Sequence, residues 1–260
     1  MSTPFNWASG IATGTSHLAS GVPCQDAIAI RDVTSTDTRH YVIGAVSDGA
    51  GSAAHAEEGA RYAVDIFVDF VAEALAEFDD IDLSDIAERG ARLVHAALGN
   101  VADHRDRSSF SYAATFLGCV SDAERTAFVQ IGDGAIVTKT GQRNWQAVFR
   151  PQHGEYVNVS HFITDTDALN RIQVEVCDEP ITQVVMFSDG LEEMFLKAPE
   201  LDVHPPLFEH VRHCLTTWRG CGEHETLSAQ IDEILRSKAV TNRTDDDVSL
   251  LAINFERDAP

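Results

Sequence analysis

Apolar residues fall along this chain in alternating regimes, and the period of each predicts an element type. Short runs and alternation over Trp7–Thr15, Ala27–Val33 and Tyr41–Val46, separated by Asp and Ser/Thr clusters, predict strands. From Ala53 to Phe78 the apolar positions Ala60, Val64, Phe67, Val68, Val71, Leu75 and Phe78 recur at helical spacing, and Ile86, Leu93, Val94, Leu98 and Val101 repeat the pattern in a second helix. Ser84 suits the N-cap of that helix, with Asp79-Asp80 as the turn before it. Strands resume at Tyr112–Val120, Thr126–Ile131, Ala135–Lys139, Ala147–Phe149, Ile172–Val176 and Val184–Phe187, with short turns that favour antiparallel pairing over βαβ winding. Arg150–Asn170 is the least regular stretch and reads as a loop or small flap. Helices over Pro206–Trp218 and Glu225–Lys238, a polar turn at Thr241–Asp245 and a closing strand Val248–Phe255 complete the pattern. The fold class is α+β, a single domain over residues 1–260 with long helices on mainly antiparallel sheets.

Three of the apolar runs end alike: Val42–Val46 leads into Ser47-Asp48-Gly49, Phe128–Ile131 into Gly132-Asp133-Gly134, and Val184–Phe187 into Ser188-Asp189-Gly190. Asp-Gly is a common hairpin turn, the glycine supplying positive φ. A hairpin must lead directly into a second strand, and only the middle copy does, through Ala135–Lys139. The other two precede helical patterns and read as strand-to-helix corners, where a rigid carboxylate can face a site.

Composition narrows the function. The 260 residues carry a net charge of −22, which lacks the basic footprint that nucleic acid or an anionic membrane demands. No stretch approaches the roughly 20 apolar residues of a membrane helix, and Met1–Trp7 has neither a basic nor an apolar leader region, so a cytoplasmic protein is expected. The five cysteines contain no Cys-x-x-Cys pair and are expected to be reduced and mostly buried. His210, His213 and Cys214 share a helix, but one turn supplies too few ligands for zinc.

Two further acids share the strand-end context: Asp26 precedes Ala27–Ile30, and Asp246 lies in Asp245-Asp246-Asp247 before Val248–Ile253. Each alone also reads as an ordinary turn or solvated-loop residue. If the five converge, their like charges require a compensating cation or raised pKa values. All-oxygen ligation without His or Cys points to magnesium or manganese. Two such ions roughly 3.5–4 Å apart can clamp a phosphoryl group for hydrolysis.

The ordered set Gln25-Asp26-Ala27, Val46-Ser47-Asp48-Gly49, Ile131-Gly132-Asp133, Phe187-Ser188-Asp189-Gly190 and Asp246-Asp247-Val248-Ser249 resembles the metal-dependent protein phosphatase family of the protein phosphatase 2C type, from about Gly14 to Ile253. Gly14-Thr15-Ser16-His17, Pro23-Cys24-Gln25-Asp26, Asp48-Gly49-Ala50-Gly51-Ser52 and Gly154-Glu155-Tyr156 resemble its compact, stand-alone bacterial branch. The resemblance implies a four-layer sandwich of two antiparallel sheets flanked by helices on both sides. It implies that Asp48 bridges two Mg2+ or Mn2+ ions, that the Gly49 carbonyl ligates one, that Asp189 and Asp246 complete the coordination of the first ion, and that Asp26 holds the second, directly or through water. Asp133, with Asp189, matches the site of a third, weaker ion. The implied reaction is hydrolysis of phosphoserine and phosphothreonine by a metal-bridging hydroxide, in signalling opposite a serine/threonine kinase or its targets, by a monomer.

Two departures stand out. Many animal and plant members carry His directly after the first Asp-Gly, as the acid for the leaving alcohol; here it is Ala50, with His55 the nearest substitute. Those members also carry an Arg before the early acidic pair, whereas His17–Cys24 has none and His17 is open to two readings, phosphate contact or hydrogen-bonded turn residue. These losses motivate an alternative, a catalytically weak phosphoprotein-binding module on the same fold. A third reading treats all five acids as surface turns.

Overall fold

Tyr41, Ile43 and Ala45 leave one strand on one face, Val42 and Val46 leave it on the other, and both faces are buried. A strand covered on both sides must sit in an inner layer, and it reads in sequence as an unbroken apolar run. The computed structural model of this chain describes residues 5–78, 81–141, 143–152, 160–197, 202–204 and 206–255. Its first elements are β1 (Asn6–Ala12), α1 (Thr15–Ser20), β2 (Asp26–Thr34), β3 (His40–Asp48), α2 (Ala56–Glu77) and α3 (Leu83–His104). Then follow β4 (Phe116–Ser121), β5 (Thr126–Ile131), β6 (Ala135–Lys139), β7 (Gln146–Ala147), β8 (Gln173–Cys177), β9 (Gln183–Phe187), α4 (Glu192–Phe195), β10 (Leu196–Lys197) and β11 (Asp202–Val203). The chain closes with α5 (Pro206–Thr217), β12 (Gly222–Glu223), α6 (Glu225–Leu235), α7 (Lys238–Thr241) and β13 (Val248–Asn254).

One sheet has the order β2-β3-β4-β5-β8, the other β12-β1-β13-β9-β6-β7, and β10 pairs with β11 apart from both. Among the described residues all pairings are antiparallel except β1 with β12. Ala60, Val64, Phe67, Val71 and Leu75 of α2 and Ile86, Val94 and Leu98 of α3 pack on the first sheet. Phe208, Val211 and Leu215 of α5 and Leu227, Ile231 and Leu235 of α6 cover the second. Between the sheets lie Val42, Val46, Leu117, Phe128, Ile136, Met186, Leu251 and Ile253. The layers therefore run helices, sheet, sheet, helices, the predicted four-layer sandwich.

Local differences from the sequence reading have physical causes. The stretch from Tyr112 starts with a 3-10 turn, Ser109–Tyr112, and its strand begins only at Phe116. The α3 N-cap is Asp82, which accepts from the backbone N–H of Ser84 and Asp85 and so satisfies two of the helix's free donors. Phe78, counted with the α2 stripe, is the exposed C-cap residue. Helix α1 was not foreseen, because it buries nothing and leaves no periodic stripe. Of the cysteines, only Cys119 is buried; Cys24, Cys177 and Cys214 are half-buried and Cys221 is exposed. Among the described residues no helix is long and apolar enough to cross a membrane.

The middle Asp-Gly copy is not a hairpin. β5 belongs to the first sheet and β6 to the second, so Gly132-Asp133-Gly134 crosses between layers. β5 is already paired on both edges, by β4 and β8, and has no edge left for β6. Gly132 turns the corner at φ 106°, a value that favours glycine, and the Gln130 side chain donates to the carbonyls of Gly132 and Gly134.

Candidate metal centre

Antiparallel register brings the first two acids together. Asp26 opens β2, Asp48 closes β3, and the two are directly paired across the ladder. Asp48 is held from the neighbouring strand: its N–H donates to Thr115 Oγ1 at 3.1 Å, and its carbonyl accepts from Thr115 N–H at 2.7 Å. Gly49 follows, its N–H donating to Gln25 O at 3.0 Å. A Cβ on Gly49 would lie 2.5 Å from the Ala56 carbonyl oxygen, so glycine lets the start of α2 pack against the corner.

The second sheet supplies the rest. Asp189 opens a 3-10 turn at the end of β9, ahead of α4, and Asp246 stands just before β13. Asp133 lies on the crossover between the sheets, buried, and accepts a hydrogen bond from Ser160 Oγ. A cross-sheet tie fixes the registration: Ser188 Oγ donates to Asp26 Oδ2 at 2.7 Å and accepts from Ser249 N–H at 3.0 Å. Asp48, Gly49, Asp133, Asp189 and Asp246 then line one cavity of about 460 Å³, with Thr115, Ser160, Phe110 and Phe162 on its walls. Asp26 is buried and faces this group through Asp48.

The charges are not neutralised. Among the described residues no lysine or arginine forms an ion pair with Asp26, Asp48, Asp133, Asp189 or Asp246. Burial, then the charges of Asp26, Asp189 and Asp246, raises Asp48 well above the usual carboxylate range. Burial, then Asp133 and Asp246, raises Asp189 to about 7. Burial raises Asp26 to about 6 against the opposing hydrogen bonds of Ser188 and Ser249. Asp246 is also raised, first by burial, but it is exposed at the cavity mouth, where water screens much of the effect.

Two buried carboxylate oxygens, Asp26 Oδ1 and Asp189 Oδ1, have no hydrogen-bond partner. Buried polar atoms are normally satisfied, and hard oxygen donors left over in a ring of mutual repulsion are what a hard divalent cation satisfies. Among the described residues no three His, Cys, Asp or Glu side chains are drawn together as a closed cage for one ion. The acids border a cavity instead, with room for water among them. The orphaned oxygens and the missing counter-charge weigh more than the open spacing, because magnesium keeps several waters of its own. The residues fit the ion.

Sequence reasoning missed the supports. Asp247, passed over as part of a triple Asp, is almost fully buried at 2% exposure and accepts from Gly14 N–H at 2.7 Å, Gln25 N–H at 2.6 Å and His17 Nδ1 at 2.9 Å. His17 is thus tied to Asp247 and is not among the residues that line the cavity. His55 caps α2, with Nδ1 3.1 Å from Glu58 Oε1 and its ring stacked on Tyr112. Ser188 was legible, since both corner acids sit in Ser-Asp-Gly; Thr115 and Ser160 left no signal. Gly154-Glu155-Tyr156, with the rest of 153–159 from the stretch expected to be a loop or flap, lie outside the described residues. His210 Nε2 lies 3.9 Å from Cys214 Sγ, with no third ligand among the described residues.

Known proteins share this plan. A family profile described as "Protein phosphatase 2C" matches residues 13–236. "Serine/threonine-protein phosphatase 3" of Escherichia coli (strain K12) is 31% identical over 238 residues, 91% of this chain and 93% of that protein. Among solved structures, a bacterial serine phosphatase superposes with a TM-score of 0.67 at 13% identity, covering 98% of this chain and 99% of its own. The catalytic domain of the serine threonine protein phosphatase PstP, in complex with two manganese ions, does so with a TM-score of 0.64 at 13% identity, over 96% and 97%. With the ordered acids converging on one cavity and the profile spanning most of its length, the chain belongs to the protein phosphatase 2C family and is a phosphoprotein phosphatase.

Proposed function

We propose that the protein hydrolyses phosphoserine and phosphothreonine in protein substrates with the aid of magnesium or manganese. The observation that carries this is the ring of unneutralised acids with two orphaned buried oxygens; the relatives' serine/threonine specificity and the two manganese ions of the PstP structure support it. Asp48, the Gly49 carbonyl, Asp189 and Asp246 would hold one ion, Asp48 and Asp26 a second, and Asp133 with Asp189 a third, weaker one. When bound, such ions supply Lewis acidity that activates water and offsets charge on the phosphoryl oxygens. The chain itself holds the acids in place through Thr115, Ser188 and Asp247, and Phe110 and Phe162 line the cavity. Among the described residues no histidine lines the cavity, and a water would protonate the leaving alcohol. The substrate is a phosphoprotein, a serine/threonine kinase or one of its targets, met in the cytoplasm by a monomeric enzyme.

The test is manganese-dependent hydrolysis of a phosphopeptide. Wild-type turnover that is lost on adding chelator and in Asp189→Asn supports the reading; equal activity of wild type and Asp189→Asn sinks it. Ala50 and the lack of Arg in residues 17–24 favour a second reading, a catalytically weak phosphoprotein-binding module. Calorimetric phosphopeptide binding without turnover at saturating manganese would select it.

A further inference from the structure

In a chain with 41 acidic residues and 19 Lys and Arg, arginines generally lean on carboxylates. Arg31 pairs with Asp69, Arg89 with Asp85, Arg92 with Glu88, Arg125 with Asp178 and Arg143 with Glu179. Arg107 is different. Exposed just beyond α3, its guanidinium meets no carboxylate among the described residues, only the Tyr112 hydroxyl at 3.3 Å and His55 Nε2. On the other side of the imidazole, Nδ1 faces Glu58 Oε1. Glu58 is already taken by Arg105 at 2.6 Å. Arg107 thus rests on His55 and Tyr112 with no carboxylate bonded to it among the described residues.

This charge is held on His55, three residues along the chain from Ser52 of the cavity wall, and Arg107 itself stands three residues before Phe110, which also lines the cavity. His55 N–H donates to Ser111 O and Ala50 N–H to Ala113 O, zipping the loop after Asp48 to the segment that follows Arg107. From those two strands of chain Ser52 and Phe110 line the cavity, and Phe110 is 47% exposed. A guanidinium with no carboxylate partner, on the segment that brings an exposed aromatic ring to the cavity, is suited to gripping a planar or tetrahedral oxyanion. We propose that Arg107 binds an anionic side chain that flanks the phosphoresidue of the substrate, a carboxylate or a second phosphate, and so sets sequence preference. The inference rests on the phosphatase reading.

The experiment compares kcat/KM for phosphoserine peptides whose flanking positions carry glutamate, phosphoserine, alanine or lysine, in wild type, Arg107→Ala and Arg107→Glu. For an exposed ion pair the wild-type preference for glutamate over alanine peptides is about two- to fivefold, falling with salt. The ratio should drop to about one in Arg107→Ala and reverse toward lysine peptides in Arg107→Glu. A larger wild-type ratio for the phosphoserine-flanked peptide names the second phosphate as the partner, and a larger one for glutamate names the carboxylate. Ratios unchanged in both variants overturn the proposal. So does an equal loss on all peptides and on p-nitrophenyl phosphate, which places Arg107 on the scissile phosphate or in the fold. If wild type with manganese hydrolyses no peptide at all, it is the phosphatase reading that fails.

Discussion

Asp26 and Asp48 sit directly opposite one another on β2 and β3, two acids in a ladder position where like charges destabilise. The sheet tolerates the pair because Ser188 donates to one and Thr115 fixes the backbone of the other, yet neither support carries a positive charge. The repulsion is stored for an ion to relieve. Replacing Asp26 by Asn should therefore raise the melting temperature of the metal-free protein while abolishing most of the upward shift that manganese gives the wild type. Thermal melts with and without chelator check both halves; a mutant that still gains as much from manganese as wild type refutes the assignment of Asp26.

The same repulsion sets a pH dependence. Asp26 and Asp189 have folded values of about 6 and about 7, above the unfolded value near 3.8. The native state then binds protons more tightly than the unfolded chain, and stability falls as pH rises. In chelator, the urea midpoint should decline from about pH 5 to pH 7, and saturating magnesium should flatten the decline. Below that window carboxylates held low, such as Glu58 against Arg105, are protonated and stability falls again. A midpoint that rises steadily from pH 5 to pH 7 in chelator would contradict the electrostatics described.

Asp247 should be worth more to the fold than its place in a polar triplet suggests. Three donors converge on it, and Asp247→Ala strands the N–H groups of Gly14 and Gln25 in a buried place. The cost should be about 3 kcal/mol or more by urea denaturation, with Asp247→Asn losing less because one acceptor oxygen survives. Gln25 adjoins Asp26, so manganese affinity measured by calorimetry should weaken in both variants.

The corner after Asp48 discriminates between two neighbouring glycines. A Cβ at Gly49 runs into the Ala56 backbone, whereas one at Gly51 meets nothing within 4 Å. Gly49→Ala should cost about 1–3 kcal/mol and reduce activity through displaced Asp48, while Gly51→Ala should stay within about 0.5 kcal/mol of wild type. Parallel denaturation and phosphopeptide assays test the pair.

The sequence by itself determined the periodicities, and with them the two long helices, the inner strands and the class of the fold. It also placed four acids, Asp26, Asp48, Asp189 and Asp246, beside strand ends, because apolar runs and the acids that border them are local features. Tertiary structure decided what local pattern leaves open. Asp133 is followed by a strand either way, and only the pairing of β5 on both edges makes that strand cross to the other sheet. Asp246 and Asp247 are chemically identical neighbours; one reaches the cavity and the other is buried under Gly14, His17 and Gln25, which are far away in sequence. Thr115 and Ser188 act on residues 67 and 162 positions away, and no period in a chain encodes which distant strand will lie beside it. Burial and register are properties of the packed layers, and those properties turn separate strand-end carboxylates into one charged cavity.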